Sequence, residues 1–173
     1  MKATNWSYVL IAYASLLAYG LIDNTRGPVF PELLSTGNLT DSQGALFFSI
    51  CSICTVPGGY SARWLSVSRS SLSSMRIGLF ISILGIIGIA QASNYFVLLC
   101  GSALYGMGSG AVSVTMNYLI NSGVKTKTKQ RRFFAGLHSM YAISSLAAPL
   151  LAGLLFSYQW HWQRIFFLLG LPT

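Results

Sequence analysis

Acidic residues are almost missing from this chain. Three of its 173 residues are Asp or Glu, and charged residues of both signs make up 8 %. Soluble domains carry roughly 25 %. A folded surface in water could not be covered with so few charges, so a soluble globular protein is excluded. Cysteine is scarce too. Cys51 and Cys54 share one helical turn of an apolar run, and Cys100 stands apart. No second Cys or His pair accompanies the CxxC spacing, so a four-ligand zinc site is not expected, and these residues read as small apolar side chains. A paired-carboxylate site and a Ser/His/Asp triad are also missing. No enzyme is expected, and no metal or organic cofactor.

What is present in abundance is apolar sequence, 53 % of the chain, broken into long runs by short connections. Eight of the eleven Lys and Arg residues crowd into every second connection. Arg63, Arg69 and Arg76 fall in one, and Lys125, Lys127, Lys129, Arg131 and Arg132 in another. The connections around Ser93 and Gln159 carry almost none. This alternation is the positive-inside pattern of a multi-span membrane protein. The net charge of +8 therefore points to lipid headgroups, not to nucleic acid, because the basic residues sit beside apolar runs and not on one solvated face.

A helix needs about 20 mostly apolar residues to cross a bilayer. On that basis the expected fold is an all-α membrane protein with helices at 6–27, 43–60, 74–92, 95–121, 133–157 and 163–173. The first run is too long for a cleaved leader and has no small-residue cleavage site after it. It is expected to end at Arg26-Gly27-Pro28, which places all three acids at or beyond its outer end. Asp41 is a candidate cap for the second helix. The sixth helix has about half the length a span requires. The chain is thus expected to be one piece of a longer protein, in a cell membrane, with its N-terminus in the cytoplasm.

Polar residues within the spans mark what must not face lipid. The third helix has only Ser82 between Ile77 and Ala90, and is expected to be largely surrounded by lipid. Three others carry stripes at helical spacing. These are Tyr8, Ser15, Tyr19, Asp23 and Arg26 on the first, Ser102, Ser109, Ser113 and Asn117 on the fourth, and His138, Tyr141 and Ser145 on the fifth. Such stripes either glue helices together or line a water-filled cavity. Asp23 is the acid placed within a span. Loss of water favours a neutral carboxyl and a neighbouring guanidinium favours the charged one. Asp23 and Arg26, three residues apart, can meet on one face. They form either a proton-coupling pair, which releases Arg26 to a solute when Asp23 is protonated, or a structural ion pair at the outer mouth. Asn117 can offer donors and acceptors to a solute or bond to another helix. Tyr19 and Tyr141 can stack on a ring or simply pack, and His138 can titrate or stay neutral and bonded.

Four segments, in order along nearly the whole chain, resemble the N-terminal six-helix half of a major facilitator superfamily transporter. Gly20, Asp23, Asn24, Arg26, Gly27 and Pro28 resemble the D-N-x-R-G-P stretch of the fucose-proton symporter branch. Gly106, Gly108 and Gly110 followed by Asn117 are similar to its glycine-rich fourth helix. Leu137, His138 and Tyr141 with Ala148 and Pro149 resemble its fifth helix, and Trp160, Trp162, Arg164 and Phe166 its approach to the sixth. The family's G-x-x-x-D-R-x-G-R-R loop is not matched, since Arg63 stands in place of its Asp and Ser66 in place of its Gly. Ser113 replaces a Glu that carries a second proton in that branch.

The resemblance implies two three-helix repeats in inverted orientation. It also implies alternating-access transport of a small polar, sugar-like solute, driven by a proton gradient. Asp23 would carry the proton, and Arg26, Asn24, Tyr19, Asn117, Ser113, His138 and Tyr141 would face the solute. The partner would be the missing C-terminal half or a second copy. The alternative is a half that does not transport, a remnant or a membrane scaffold subunit.

Overall fold

The computed structural model describes residues 4–170. Six helices follow one another along the chain: α1 (Trp6–Gly37), α2 (Asp41–Ser68), α3 (Ser71–Ala90), α4 (Tyr95–Gly123), α5 (Lys127–Ser157) and α6 (Trp162–Gly170). The first five are long and apolar enough to cross a membrane. The nine residues of α6 are not, and its expected continuation to 173 lies outside the described residues. The helices run up and down between two ends. The basic end holds the start of α1 and the close of α4, joined by Asn5 N–H donating to Gly123 O at 2.9 Å. The opposite end holds the close of α1 and the starts of α2, α4 and α6.

The largest departure from the sequence reading is the length of α1. It does not stop at Pro28. It runs on through Pro28 and Pro31 to Gly37, where Asn38 closes it in the left-handed region. Each proline removes one ladder donor, but Val29 and Leu33 are buried and Phe30 packs edge-on against Phe48 of α2 at 5.2 Å. Tertiary packing replaces what the ladder loses. Asp23 and Arg26 consequently lie deep in a helix, about 26 Å from its start, and not at its mouth.

Other boundaries move outward. α2 is capped by Thr40, which forms a reciprocal capping box with Gln43, so Asp41 is its first helical residue and not its cap. Arg63 lies inside α2 and Arg76 inside α3, leaving Arg69 in the connection. Lys127 to Arg132 form the first turns of α5, with Lys125 in the loop. Hydropathy marks where hydrocarbon ends, and helices continue into the polar layer beyond it.

α4 is the hub. It packs closely on α2 and α3, while α1 packs mainly on α5. A side chain at Gly106 or Gly110 would collide with the backbone carbonyls of Cys51 or Thr55, and one at Gly85 with the backbone of Tyr105. Small residues let membrane helices approach this closely. α3 thus has one packed face, while Ile77, Phe80 and Leu84 stay exposed on the other. Ser74, Met75, Gly78, Ser82, Gly85, Ile86 and Ile89 are buried, and Ser74 Oγ reaches Ala62 O and Thr115 Oγ1, each at 3.1 Å. α5 is the open helix, with Ile143, Leu146, Leu150 and Leu154 exposed.

Candidate functional site

Two apolar clusters fill the bundle. One, towards the basic end, includes Val9, Leu16, Met75, Met116 and Leu137. The other includes Ile22, Phe47, Ile86, Tyr105 and Phe166. Tyr19 packs against both, and the polar groups of α1 lie at this junction.

Asp23 accepts on both carboxylate oxygens. Oδ1 is paired with Arg26 Nη2, and Oδ2 accepts from the Tyr141 hydroxyl at 2.8 Å. The first contact stays within α1 and the second reaches α5. The Arg26 guanidinium lies between two aromatic rings, 5.5 Å from the Phe48 centroid on α2 and 5.6 Å from Tyr105 on α4. Cation–π attraction of this kind strengthens when the pair is withdrawn from water. One guanidinium nitrogen, Nη1, is buried without a hydrogen-bond partner among the described residues, and so is the hydroxyl of Tyr105. One ion pair thus touches four helices, and its parts do not exhaust their hydrogen-bonding capacity.

Beside it a cavity of about 270 Å³ opens between α1, α4 and α5. Leu16, Met116 and Leu137 form its apolar wall, and Tyr19, Ser113, Asn117, His138 and Tyr141 its polar one. Five residues singled out in the sequence on three separate helices therefore share one cavity. The Tyr19 and Tyr141 rings are 6.0 Å apart and tilted by 35°, and Tyr141 links the cavity to Asp23. Among the described residues Asn117 makes no hydrogen bond across helices. Its Nδ2 donates to Ser113 O at 2.7 Å, and Ser113 Oγ donates to Gly110 O at 2.9 Å. His138 is exposed and makes no side-chain hydrogen bond among the described residues, unlike a buried, carbonyl-bonded imidazole.

Not every candidate gathers here. Asn24 donates to Gly20 O of its own helix at 2.7 Å, and its side chain also reaches the Tyr141 hydroxyl, so it borders the site without lining the cavity. Ser102 is glue, donating to Phe47 O of α2 at 2.7 Å. Ser145 faces outward and bonds to Ala142 O. Phe48 and Tyr105, which hold Arg26, were missed because an aromatic inside an apolar run carries no distinguishing pattern. Tyr105 had one available signal, its place between Ser102 and Ser109 on the α4 stripe.

The Major Facilitator Superfamily profile matches residues 12–173. Among characterised proteins, the MFS-type efflux pump MMF1 of Mycosarcoma maydis is 30 % identical over 98 residues, covering 57 % of this chain and 16 % of that protein. The chain thus aligns with less than a fifth of its relative's length. With a match over nearly all its residues and five helices of membrane-spanning length, the chain belongs to the major facilitator superfamily.

Proposed function

We propose that this chain forms the N-terminal half of a proton-coupled secondary transporter, working by alternating access in a cell membrane. Membership of the superfamily supports membrane transport, and its members are in general carriers and not enzymes. Two three-helix repeats in inverted orientation fit the packing. α2 on α4 corresponds to α5 on α1, and α3 on α4 to α6 on α1, the exchange expected when α1–α3 and α4–α6 are equivalent units. The basic end faces the cytoplasm on the positive-inside rule.

The observation that carries the proposal is the Asp23 carboxylate, shared between Arg26 and Tyr141 at the edge of the cavity. Protonating Asp23 removes the negative charge that holds Arg26. It also turns the carboxyl into a donor, which changes its bond to Tyr141. Arg26 is then free for a solute oxygen or anion, and Tyr141 passes the change to α5. Asn117, Ser113, His138 and Tyr19 supply the polar and ring contacts for a small hydroxylated solute. The apolar wall of Leu16, Met116 and Leu137, with the efflux pump among its relatives, favours as a second reading the export of an amphiphilic solute from the same cavity.

Half-exposed Ser113, Val114, Asn117 and Tyr118 of α4 lie between the open faces of α2 and α5. A second six-helix half, in the same polypeptide or a second copy, would close the cavity there.

The test is uptake into vesicles holding the whole protein, screened over polar and amphiphilic solutes with and without a proton gradient. Asp23→Asn should abolish gradient-driven accumulation while sparing solute exchange. Unchanged accumulation would remove Asp23 from the mechanism. Gradient-independent movement in the unaltered protein would leave a carrier without proton coupling.

A further inference from the structure

The last third of α1 differs from the rest of the helix. Pro28 and Pro31 deprive Asn24 and Gly27 of their ladder donors. Gly27 has open space where a side chain would be. Helix breaks and pivots occur where ladder bonds are missing. The segment beyond, Pro28 to Gly37, carries apolar contacts to α2, chiefly Phe30 on Phe48 and against Gly44. Such contacts are not directional and permit sliding. The polar side-chain contacts from this segment to another element, among the described residues, both come from the segment that opens α6. Trp162 Nε1 donates to Thr36 Oγ1 at 2.9 Å. His161 Nδ1 stands 3.6 Å from Glu32 Oε1. Glu32 and Thr36 are four apart, so two consecutive residues grip two successive turns of one helix face.

The two grips differ in kind. Trp162 is buried and its bond does not depend on pH. His161 is 71 % exposed, whereas Glu32 is mostly covered and its Oε2 has no hydrogen-bond partner among the described residues. Glu32 Oε1 is the oxygen nearest the imidazole, so a charged imidazole would find an acceptor beside it. Other ionisable groups on the surrounding elements are Arg164 on α6, Tyr95 on α4, Tyr158 at the end of α5 and Asp41 at the start of α2. Of these, Tyr95 is bonded to Gln43 O, and none pairs with His161 among the described residues. Beside the grip lies a cavity of about 430 Å³ between Leu33, Thr36 and Gly37 of α1 and Asn94, Tyr95 and Leu98 at the start of α4. The end of α1 has room to move.

We infer that Pro28–Gly37 is a hinged flap, clasped to the start of α6 by Trp162 and by a proton-dependent His161–Glu32 pair. Protonating His161 completes the ion pair and tightens the clasp. Loss of that proton leaves the Trp162 bond alone. The hinge lies just beyond Arg26, so the flap's position also bears on the Asp23 site.

Hydrogen exchange of peptides covering 28–38, on the whole protein in lipid nanodiscs and corrected for intrinsic rates, tests this between about pH 6 and pH 8. Exchange in the unaltered protein should be at least about threefold slower at the acid end. Glu32→Gln and His161→Gln should abolish that difference. Trp162→Phe keeps the ring's packing, and should speed exchange equally at both pH values. Peptides from α4 should not respond, which separates the clasp from general loosening. Corrected exchange that does not vary with pH, or that varies equally in Glu32→Gln, overturns the pH-dependent clasp. Trp162→Phe without effect overturns the grip itself.

Discussion

The two sides of this bundle are held together by different means. On the α2–α3–α4 side, backbones touch through glycine, and a methyl group at Gly106 or Gly110 would meet a carbonyl of α2. On the α1–α5 side, contact is made by side chains that can let go. Tyr13 donates to Phe133 O at 2.8 Å, Ser144 to Leu17 O at 2.7 Å and Tyr141 to Asp23. The polar cavity lies where the second kind meets α4. A frame packed through glycine beside a helix held by individual side-chain bonds is the division that the proposed alternating access would use, because a close-packed interface tends to hold one arrangement and not deform continuously.

Forcing the glycine-packed side apart should have the largest effect. Gly106→Leu drives a side chain into the Cys51 carbonyl and should cost about 3 kcal/mol. The folded yield in membranes should collapse, as read by size-exclusion profile and thermal melting. Next comes the charge at the junction. Arg26→Gln leaves Asp23 without its cation and empties the space between Phe48 and Tyr105. Breaking a buried pair costs about 3–5 kcal/mol where no neutralisation follows, and the proton uptake proposed for Asp23 would reduce that cost. We therefore expect a smaller loss of stability, with proton-coupled transport abolished. Rescue of coupling by Arg26→Lys would show that charge suffices without the aromatic sandwich.

Sequence patterning reached some of this and not the rest. Charge distribution identified a membrane protein. Helical spacing put Tyr19, Ser113, Asn117, His138 and Tyr141 on three polar stripes but left open whether the stripes glue helices or line a cavity. Their meeting at one cavity comes from the structure. The end of α1 was misread because Pro28 is a valid stop signal in isolation. Burial of Val29 and Leu33 and the bond from Trp162 sustain the helix, and that bond joins residues 126 apart in sequence. The packed face of α3 was not legible because a face towards lipid and a face towards another helix are both apolar. The recurrence of Gly78, Gly85 and Gly88 was the signal that separates them.

Smaller effects belong to the α1–α5 side. Tyr141→Phe keeps the ring beside Tyr19 and removes the donor to Asp23. Thermal stability should fall by only about 1 kcal/mol, while the pH dependence of transport should shift. A shift no greater than that of Ser145→Ala, which faces outward, would reduce Tyr141 to packing. Ser144→Ala breaks one bond between α1 and α5, and should cost about 0.6 kcal/mol without altering coupling. A loss as large as that of Gly106→Leu would erase the distinction between the two sides.

The central claim is that Asp23 gains and loses a proton while Arg26 and Tyr141 follow. Infrared difference spectroscopy of the whole protein in lipid, recorded as pH is lowered, reads carboxyl protonation directly. A protonated-carboxyl band that rises on acidification, disappears in Asp23→Asn and moves in Tyr141→Phe is the predicted result. A spectrum left unchanged by Asp23→Asn would contradict it.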